Sequence, residues 1–317
     1  MEYIFRQAKV SDFDQCIELL ASPWLCDPSQ QPALREMWRE IVQSRCGIHG
    51  VILEAQQPSV VLGFFFMVFV PYHRVKEYHE CRRPLISRRL LADWVARRHP
   101  FLDADEVART NAAEGVNCVV THYGRRWRRP DSRAHLANYE LSRSVMRGWN
   151  MRSLTIEIFT DANRNDREYG RSLGYRVLEY PPQVLRAAGI PHEQRPFLWL
   201  ATRDEEGGKP AYGTAVIFQA PPRPRFAFAP LEQQLLTLSL EGATDTAMAH
   251  ELGISVATVK KHFRGIHERV AAVAVLDAPL AEALLDHERR SPQMRRRLLK
   301  YLRDHPEELR PYSTEKC

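Results

Sequence analysis

The stretch VVLGFFFMVFV, residues 60–70, is the longest apolar run in the sequence and decides the fold of its N-terminal part. A helix that crosses a membrane needs about 20 apolar residues, so this run is too short to be one. Its valines and phenylalanines are β-branched and aromatic, and such side chains favour strands. The run therefore predicts a buried β-strand.

Shorter apolar runs and amphipathic segments follow one another on both sides of this strand. Further strands are predicted by the runs Gly50–Glu54, Asn117–His122, Ser153–Phe159 and Tyr175–Tyr180. Helices are predicted where apolar residues recur every three or four positions, in Asp12–Leu20, Ala33–Val42, Ser132–Trp149 and Asp166–Leu173. Strands that alternate with helices predict a domain of the α/β or α+β class.

Three segments of this part resemble the GNAT acyltransferases. The segment Phe5–Asp12 predicts a strand followed by a capped helix, and Ile52–Phe66 predicts the hairpin that follows. The stretch Asn163–Tyr175 closes with Leu-Gly-Tyr, the most recognisable piece of the family's second half. The resemblance implies a mixed α+β sheet domain.

Two positions depart from what the resemblance implies for an active enzyme. Active members hold the pyrophosphate of coenzyme A on a loop (Q/R)-x-x-G-x-(G/A), but the corresponding Arg125–Ser132 has no glycine and contains Trp127 and Pro130. The family's proton-donating tyrosine is replaced by Gly170, with Tyr169 one residue out of register. These departures predict a catalytically inactive sensor or assembly domain, with no catalytic residue assigned, unknown cofactor-binding residues and no cofactor. The alternative is an acyl-coenzyme-A-dependent N-acyltransferase fused to a DNA-binding domain.

Length and composition predict two folded domains. The chain has 317 residues, of which 44% are apolar and 26% charged, which argues against disordered, collagen and membrane classes. No basic and apolar leader follows Met1, which predicts a cytoplasmic protein without a membrane partner. Six cysteines contain no C-x-x-C pair, so neither a metal site nor a redox motif is predicted. The net charge of +6 is compatible with nucleic acid binding.

Three prolines between Gln219 and Arg225 predict a domain boundary, because proline donates no backbone hydrogen bond and favours extended chain. The predicted organisation has four parts. They are a GNAT-like sensor or regulatory domain at residues 1–218, a linker at 219–225, a helix-turn-helix domain at 226–272 and a helical extension at 273–317.

The third part has the local signals of three short helices. A helix from Pro230 is predicted to end at Gly242, and Thr244 is predicted to cap the next one. A turn then begins at Gly253, which suits a positive φ, and Ser255 caps the third helix. The core side of that helix is predicted from apolar residues at spacings of four and three, namely Val259, Phe263 and Ile266.

The ungapped stretch from Leu240 to Val270 resembles the LuxR-type DNA-binding domain, an all-α helix-turn-helix. The resemblance implies that Lys260, Lys261 and Arg264 reach base edges, whereas Thr258 and His262 lie near phosphates and Ser255 caps the helix that enters the major groove. We therefore predict a sequence-specific, DNA-binding transcription regulator. Its predicted partners are double-stranded DNA and a second copy of the chain, with a small-molecule effector and RNA polymerase left open.

Two other classes of DNA-linked protein are weaker alternatives. The fourth region of a sigma factor also resembles this motif, but nothing in the chain resembles the sigma domain that contacts the −10 element. An acyl-homoserine-lactone sensor would show a pattern of tryptophan and aspartate that is missing.

Two basic segments leave alternatives open. Within the extension, Ala281–Leu285 and Met294–Leu302 are predicted to be helical. The second of them either contacts DNA phosphates or a partner, or packs through its leucines, and packing is favoured. The arginine pairs between Arg82 and Arg98 either add a DNA surface or form a solvated helix face, and the solvated face is favoured.

Overall fold

A computed structural model describes residues 3–81, 83–126, 144–159, 166–206, 213–284 and 291–313. They form two compact units, a sheet unit (Met1–Met146 and Asn150–Gln219) and a helical unit (Arg147–Trp149 and Ala220–Cys317). Several predicted features lie wholly or mostly outside the described residues. These are the helix from Ser132, most of the Arg125–Ser132 loop, the start of the Asn163–Tyr175 stretch, and Arg82.

The sheet unit is built on seven strands within the described residues. The strands are β1 (Tyr3–Arg6), β2 (Gly47–Glu54), β3 (Gln57–Phe69), β4 (Val116–Arg125), β5 (Met151–Ile158), β6 (Arg176–Glu179) and β7 (Phe197–Thr202). Their order is β1-β2-β3-β4-β5-β7-β6, and β4 and β5 are parallel whereas the other neighbours are antiparallel. The prediction of a mixed α/β sheet domain is confirmed.

Helices connect these strands. They are α1 (Phe13–Glu18), α2 (Gln31–Ser44), α3 (Tyr72–His79), α4 (Ile86–Val95), α5 (Ala104–Ala112), α6 (Asp166–Ser172), α7 (Pro182–Ala187) and α8 (Arg203–Glu206). Helix α4 packs against α2 and β4, and α1 packs against β3. One side of the sheet therefore carries a large apolar core shared by α1, α2, α3 and α4.

The predicted buried strand lies at the centre of this core. Phe64 and Phe66 of β3 belong to the core beneath α1 and α2, and both are at most 3% exposed. Phe65 and Met67 point to the opposite face, where they are also buried. Because both faces are covered, the strand has a continuous apolar run instead of alternating polar and apolar residues.

The insertion, residues 72–112 between β3 and β4, forms three helices that the sequence did not predict. Its helices are short, and the joints between them contain non-glycine residues with positive φ, which break the helical spacing of apolar residues. The arginines of this region pair within the unit, since Arg89 contacts Glu77 at 2.5 Å and Arg98 contacts Asp93 at 2.6 Å. These contacts agree with the solvated helix face that the sequence favoured.

The helical unit contains five α-helices among its described residues. They are α9 (Pro230–Leu240), α10 (Asp245–Leu252), α11 (Val256–Ala274), α12 (Ala278–Leu284) and α13 (Ser291–Asp304). The predicted caps are present, because the Thr244 side chain accepts from the Ala247 amide and Ser255 Oγ accepts from the Thr258 amide at 3.0 Å. Gly253 has φ 63°, as the turn requires. The prediction of a helical C-terminal region is confirmed.

The C-terminal extension is an integral part of this unit's core. Helix α11 continues beyond Val270, the end of the LuxR-like stretch, and Val270 and Ala274 are fully buried. Leu298 and Leu302 of α13 are at most 1% exposed, as the interpretation of packing through leucines predicted. Arg295 of the same helix lies 3.9 Å from the Phe263 ring centre and 2.8 Å from Asp245. This arginine therefore serves the fold of the unit.

Glu308 ties the end of the chain to the start of the helical unit. Its carboxylate is 1% exposed and accepts hydrogen bonds from the amides of Arg225 (2.8 Å) and Phe226 (3.0 Å). Replacing Glu308 with Gln keeps one acceptor oxygen and turns an NH2 group toward the other amide. We expect a loss of about 1–3 kcal/mol of unfolding free energy.

This loss can be measured by hydrogen exchange at the α9 amides of the full chain, with the exposed Glu282→Gln as the control. Equal exchange in the two variants would show that Glu308 does not hold the unit together.

The described residues contain neither a candidate membrane-spanning helix nor a cluster of metal-ligating side chains. No helix there is both long enough and apolar enough to cross a bilayer. No group of three or more histidine, cysteine, aspartate or glutamate side chains is placed to hold a metal ion in the same part of the chain.

Candidate active site

The parallel strands β4 and β5 separate before they end, and this separation forms the candidate site. Their pairing runs from Val116 with Met151 to Val120 with Ile156. Beyond that point β4 continues to Arg125 and β5 to Ile158 without pairing to each other. We call this opening, between residues 121–125 and 157–158, the fork. Ligands of α/β sheets commonly bind at the carboxyl ends of parallel strands, where neighbouring connections diverge.

A bulge marks the start of the fork. In the pairing of β3 with β4, Phe66 faces His122 and Met67 faces Val120, so Thr121 is the additional residue on β4. A bulge bends its strand and increases the local twist, which accounts for the departure of β4 from β5. The carbonyl of Thr121 accepts a hydrogen bond from Ser87 Oγ, and that of Tyr123 accepts from the Ala21 amide at 3.0 Å. The β4 edge that β5 leaves is therefore bonded by other segments, including an isolated bridge between Leu20 and Gly124.

Glu157 is the charged residue of β5 inside the fork, and it is 1% exposed. One carboxylate oxygen accepts from the Leu85 amide at 2.8 Å and from Tyr180 Oη at 2.9 Å. The other oxygen accepts from the Ile86 amide at 2.7 Å. The three donors come from the start of α4 and from the residue after β6, so distant segments of the sequence meet at this carboxyl group.

Burial controls the proton affinity of this group. Desolvation raises the pKa of Glu157 to about 7, although the hydrogen bonds from Tyr180, Ile86 and Leu85 act in the opposite direction. A carboxyl group with such a pKa exchanges its proton near neutral pH, which suits a general base. Burial also raises the pKa of the Tyr180 hydroxyl, so this group stays protonated and remains a donor.

Replacing Tyr180 with Phe is expected to move the pKa of Glu157 above 7. The lost hydrogen bond stabilises the charged carboxylate, so its removal favours the protonated form while burial still acts. The titration can be followed by NMR in protein with 13C-labelled glutamate, with the Glu157 signal assigned from Glu157→Gln. Tyr175→Phe is the control, and an unchanged or lower Glu157 pKa in Tyr180→Phe would contradict this account.

The structure also explains why the expected tyrosine is missing from position 170. A Cβ atom on Gly170 would lie 2.3 Å from Nε1 of Trp199, so no side chain fits there in this arrangement. The neighbouring Tyr169 packs with its ring centre 6.0 Å from that of Trp199. The departure from the family pattern at this position is therefore required by packing.

The residues predicted to contact DNA lie on one helix and its cap in the helical unit. Lys260, Lys261 and Arg264 are exposed, on the side of α11 opposite the buried Val259, Phe263 and Ile266. Ser255 and Thr258 bond to each other, and His262 is half-buried. Their contact with DNA stays a prediction.

Sequence reasoning missed Glu157 and its partners. A signal was present, because a glutamate in the middle of the apolar strand Ser153–Phe159 is costly to bury without partners. The identity of the partners was not accessible, since Leu85, Ile86 and Tyr180 are brought to it only by the folded sheet.

Comparisons with known proteins give similarity at the level of solved structures. No family model and no curated protein matches the chain. The crystal structure of Arabidopsis thaliana NAA60 with a bisubstrate analogue is 11% identical, covers 63% of this chain and 98% of its own, and has a TM-score of 0.35. An N-acetyltransferase from Staphylococcus aureus Mu50 is 14% identical over 64% of this chain and 99% of its own, with a TM-score of 0.35. The polyamine N-acetyltransferase of Drosophila melanogaster is 14% identical over 63% and 100%, with a TM-score of 0.36. At these identities the likeness concerns the fold alone.

The prediction of a DNA-binding transcription regulator with an inactive sensor domain is wrong by these comparisons. Most of the similar solved structures are those of acetyltransferases, including spermidine and agmatine enzymes, and none of those named is a LuxR-type regulator. The physical reason for the error is that caps, a glycine turn and apolar spacing specify how three helices pack. Basic side chains on the solvent side are common on any exposed helix. The predicted homodimer, effector and RNA polymerase contact stay predictions.

Proposed function

We propose that the sheet unit is an acyl-coenzyme-A-dependent N-acyltransferase that works at the fork. The observation that carries this proposal is the placement of Glu157, a buried carboxyl group with a pKa of about 7, where β5 separates from β4. A base and a backbone edge at the carboxyl ends of two parallel strands are the parts that transfer to an amine needs.

The edge of β4 that β5 leaves suits the arm of an acyl-coenzyme A substrate. This arm is an extended chain with two amide groups, and an extended chain can pair with a strand edge as an added strand does. The carbonyl of Thr121 can accept from such an amide in place of Ser87. The carbonyl of Tyr123 is bonded by the Ala21 amide in this structure. Arg125 ends this strand and Arg126 follows it, and both supply positive charge toward the phosphates.

Glu157 supplies the proton transfer. The amine nitrogen attacks the thioester carbonyl, so a C–N bond forms while the C–S bond breaks. Glu157 accepts the proton that the nitrogen loses, and the departing thiolate takes up a proton to give free coenzyme A. Position 170 offers no tyrosine for this last step, so the protonated Glu157 is the donor available at the fork.

The proposal is tested by thiol release from acetyl-coenzyme A in the presence of a polyamine, a lysine peptide or a peptide with a free N-terminus. Thiol release that requires both the protein and an amine is the expected result, with matching acyl-amine product by mass spectrometry. Release no faster than without protein for every amine would rule the proposal out for these substrate types.

A further inference from the structure

We infer that the lead-in segment, residues 83–87 at the start of α4, is a cover that closes the fork and that the acyl donor displaces. This inference rests on the proposed function, because a cover regulates only a site that is used. It concerns the access to the fork, whereas the proposed function concerns the chemistry there.

The first support is that the lead-in segment occupies the groups that the reaction needs. The amides of Leu85 and Ile86 each donate a hydrogen bond to a different oxygen of Glu157, and the Tyr180 hydroxyl donates a second bond to one of these oxygens. These donors fill three of the carboxylate's roughly four lone-pair positions, so an incoming amine has little access to it in this form. The structure therefore describes a closed form of the site.

The second support is the contact between Ser87 and the β4 edge. Ser87 is 1% exposed, and its hydroxyl donates to the carbonyl of Thr121, the first residue beyond the paired part of β4 and β5. An amide of the acyl donor's arm is a donor of the same kind. The donor can therefore replace Ser87 at this carbonyl without leaving the acceptor unsatisfied.

The third support is backbone strain at both ends of α4. Leu85 has φ 63° and ψ 48°, and a branched side chain rarely adopts this left-handed conformation. Cys81 lies before the segment with φ 49°, and Arg97 and His99 follow α4 with φ 55° and 44°. Strained joints on each side of an element are typical of a segment that can change conformation.

The buried part of α4 limits how far the cover moves. Leu90 and Leu91 are at most 1% exposed and belong to the core shared with α2. Opening by displacement of the whole helix would expose this core. The movement is therefore confined to the lead-in segment and the first turn, while the rest of α4 stays in place.

The test compares Ser87→Ala with Ser153→Ala in the full chain. Ser153 is a matched control because it is 2% exposed and donates its own buried hydrogen bond, to Asn117 at 2.8 Å, away from the lead-in segment. Two quantities are measured for each protein, namely amide hydrogen exchange at Leu85 and Ile86 by NMR and the Kd for acetyl-coenzyme A by calorimetry.

We expect Ser87→Ala to exchange these two amides about fivefold faster and to lower the Kd by a similar factor, since one hydrogen bond of the closed form is lost. Ser153→Ala should match the wild type in both. In Glu157→Gln, only one side-chain oxygen remains as an acceptor, so one of the two amides should exchange faster. This result does not depend on an activity measurement.

The outcomes separate the cover from the proposed function. If the wild type transfers acyl groups but Ser87→Ala binds no tighter than Ser153→Ala, the cover is wrong and the function stands. Faster exchange in Ser87→Ala without tighter binding also overturns the cover. If none of the proteins binds acetyl-coenzyme A, the proposed function fails and the cover fails with it.

Discussion

Replacing Glu157 with Gln is expected to lower kcat/KM for acyl transfer by at least about 100-fold, the usual contribution of a general base. Gln keeps the size of the side chain and one of its acceptor oxygens but cannot accept a proton at neutral pH. In the wild type, kcat/KM should rise with pH through about 7 and then level, because the base works only when it is deprotonated. The variant should lack this rise.

The rates are measured by thiol release over the neutral pH range, with Glu179→Gln as the control. Glu179 lies on β6 next to Tyr180 and is half exposed in an ion pair with Arg167. The substitution Glu179→Gln should therefore leave the rate and its pH profile unchanged. A fall of less than about tenfold in Glu157→Gln, with the pH profile kept, would assign the base to another residue.

The largest effect on stability is expected for Trp38→Ala, with a loss of about 3–5 kcal/mol in the unfolding free energy of the sheet unit. Trp38 is fully buried, and its ring stacks on Phe66 at 4.4 Å with an interplanar angle of 3°. It also meets Phe13 and Phe64 edge-on. Its Nε1 donates to Nδ1 of His122 at 3.4 Å, and burial keeps that imidazole neutral by lowering its pKa to about 3.

This loss is measured as a shift of the urea midpoint for unfolding of the sheet unit, with hydrogen exchange at the β3 amides as the probe. The control is Trp24→Ala, because Trp24 is only half-buried and bonds to Gln194 at the surface. A loss of about 1 kcal/mol or less in Trp38→Ala, equal to the control, would show that the core does not depend on this stack.

Features encoded by neighbouring residues could be predicted from the sequence. The apolar run of residues 60–70 predicted strand β3. The caps and the turn of the helical unit were predicted from Thr244, Gly253 and Ser255. Each depends on a side chain acting on backbone within a few positions. The insertion was missed because positive φ at Leu85 and its neighbours is imposed by contacts elsewhere in the fold.

The candidate site could not be predicted for a related reason. Glu157 acquires its character from the amides of Leu85 and Ile86 and from Tyr180, which are distant in sequence. The family pattern is broken instead at the glycine-free loop Arg125–Ser132 and at Gly170. Gly170 is explained by the packing of Trp199, so its departure is evidence about packing and not about loss of activity.

The most direct test of the central claim is a crystal structure of the full chain with a thioether analogue of acetyl-coenzyme A, which cannot transfer its acyl group. We predict that the analogue's arm lies along residues 121–125 of β4, that its carbonyl group reaches the carboxyl group of Glu157, and that Ser87 has left the Thr121 carbonyl. An analogue bound away from the fork, with Glu157 still held by Leu85 and Ile86, would contradict the account.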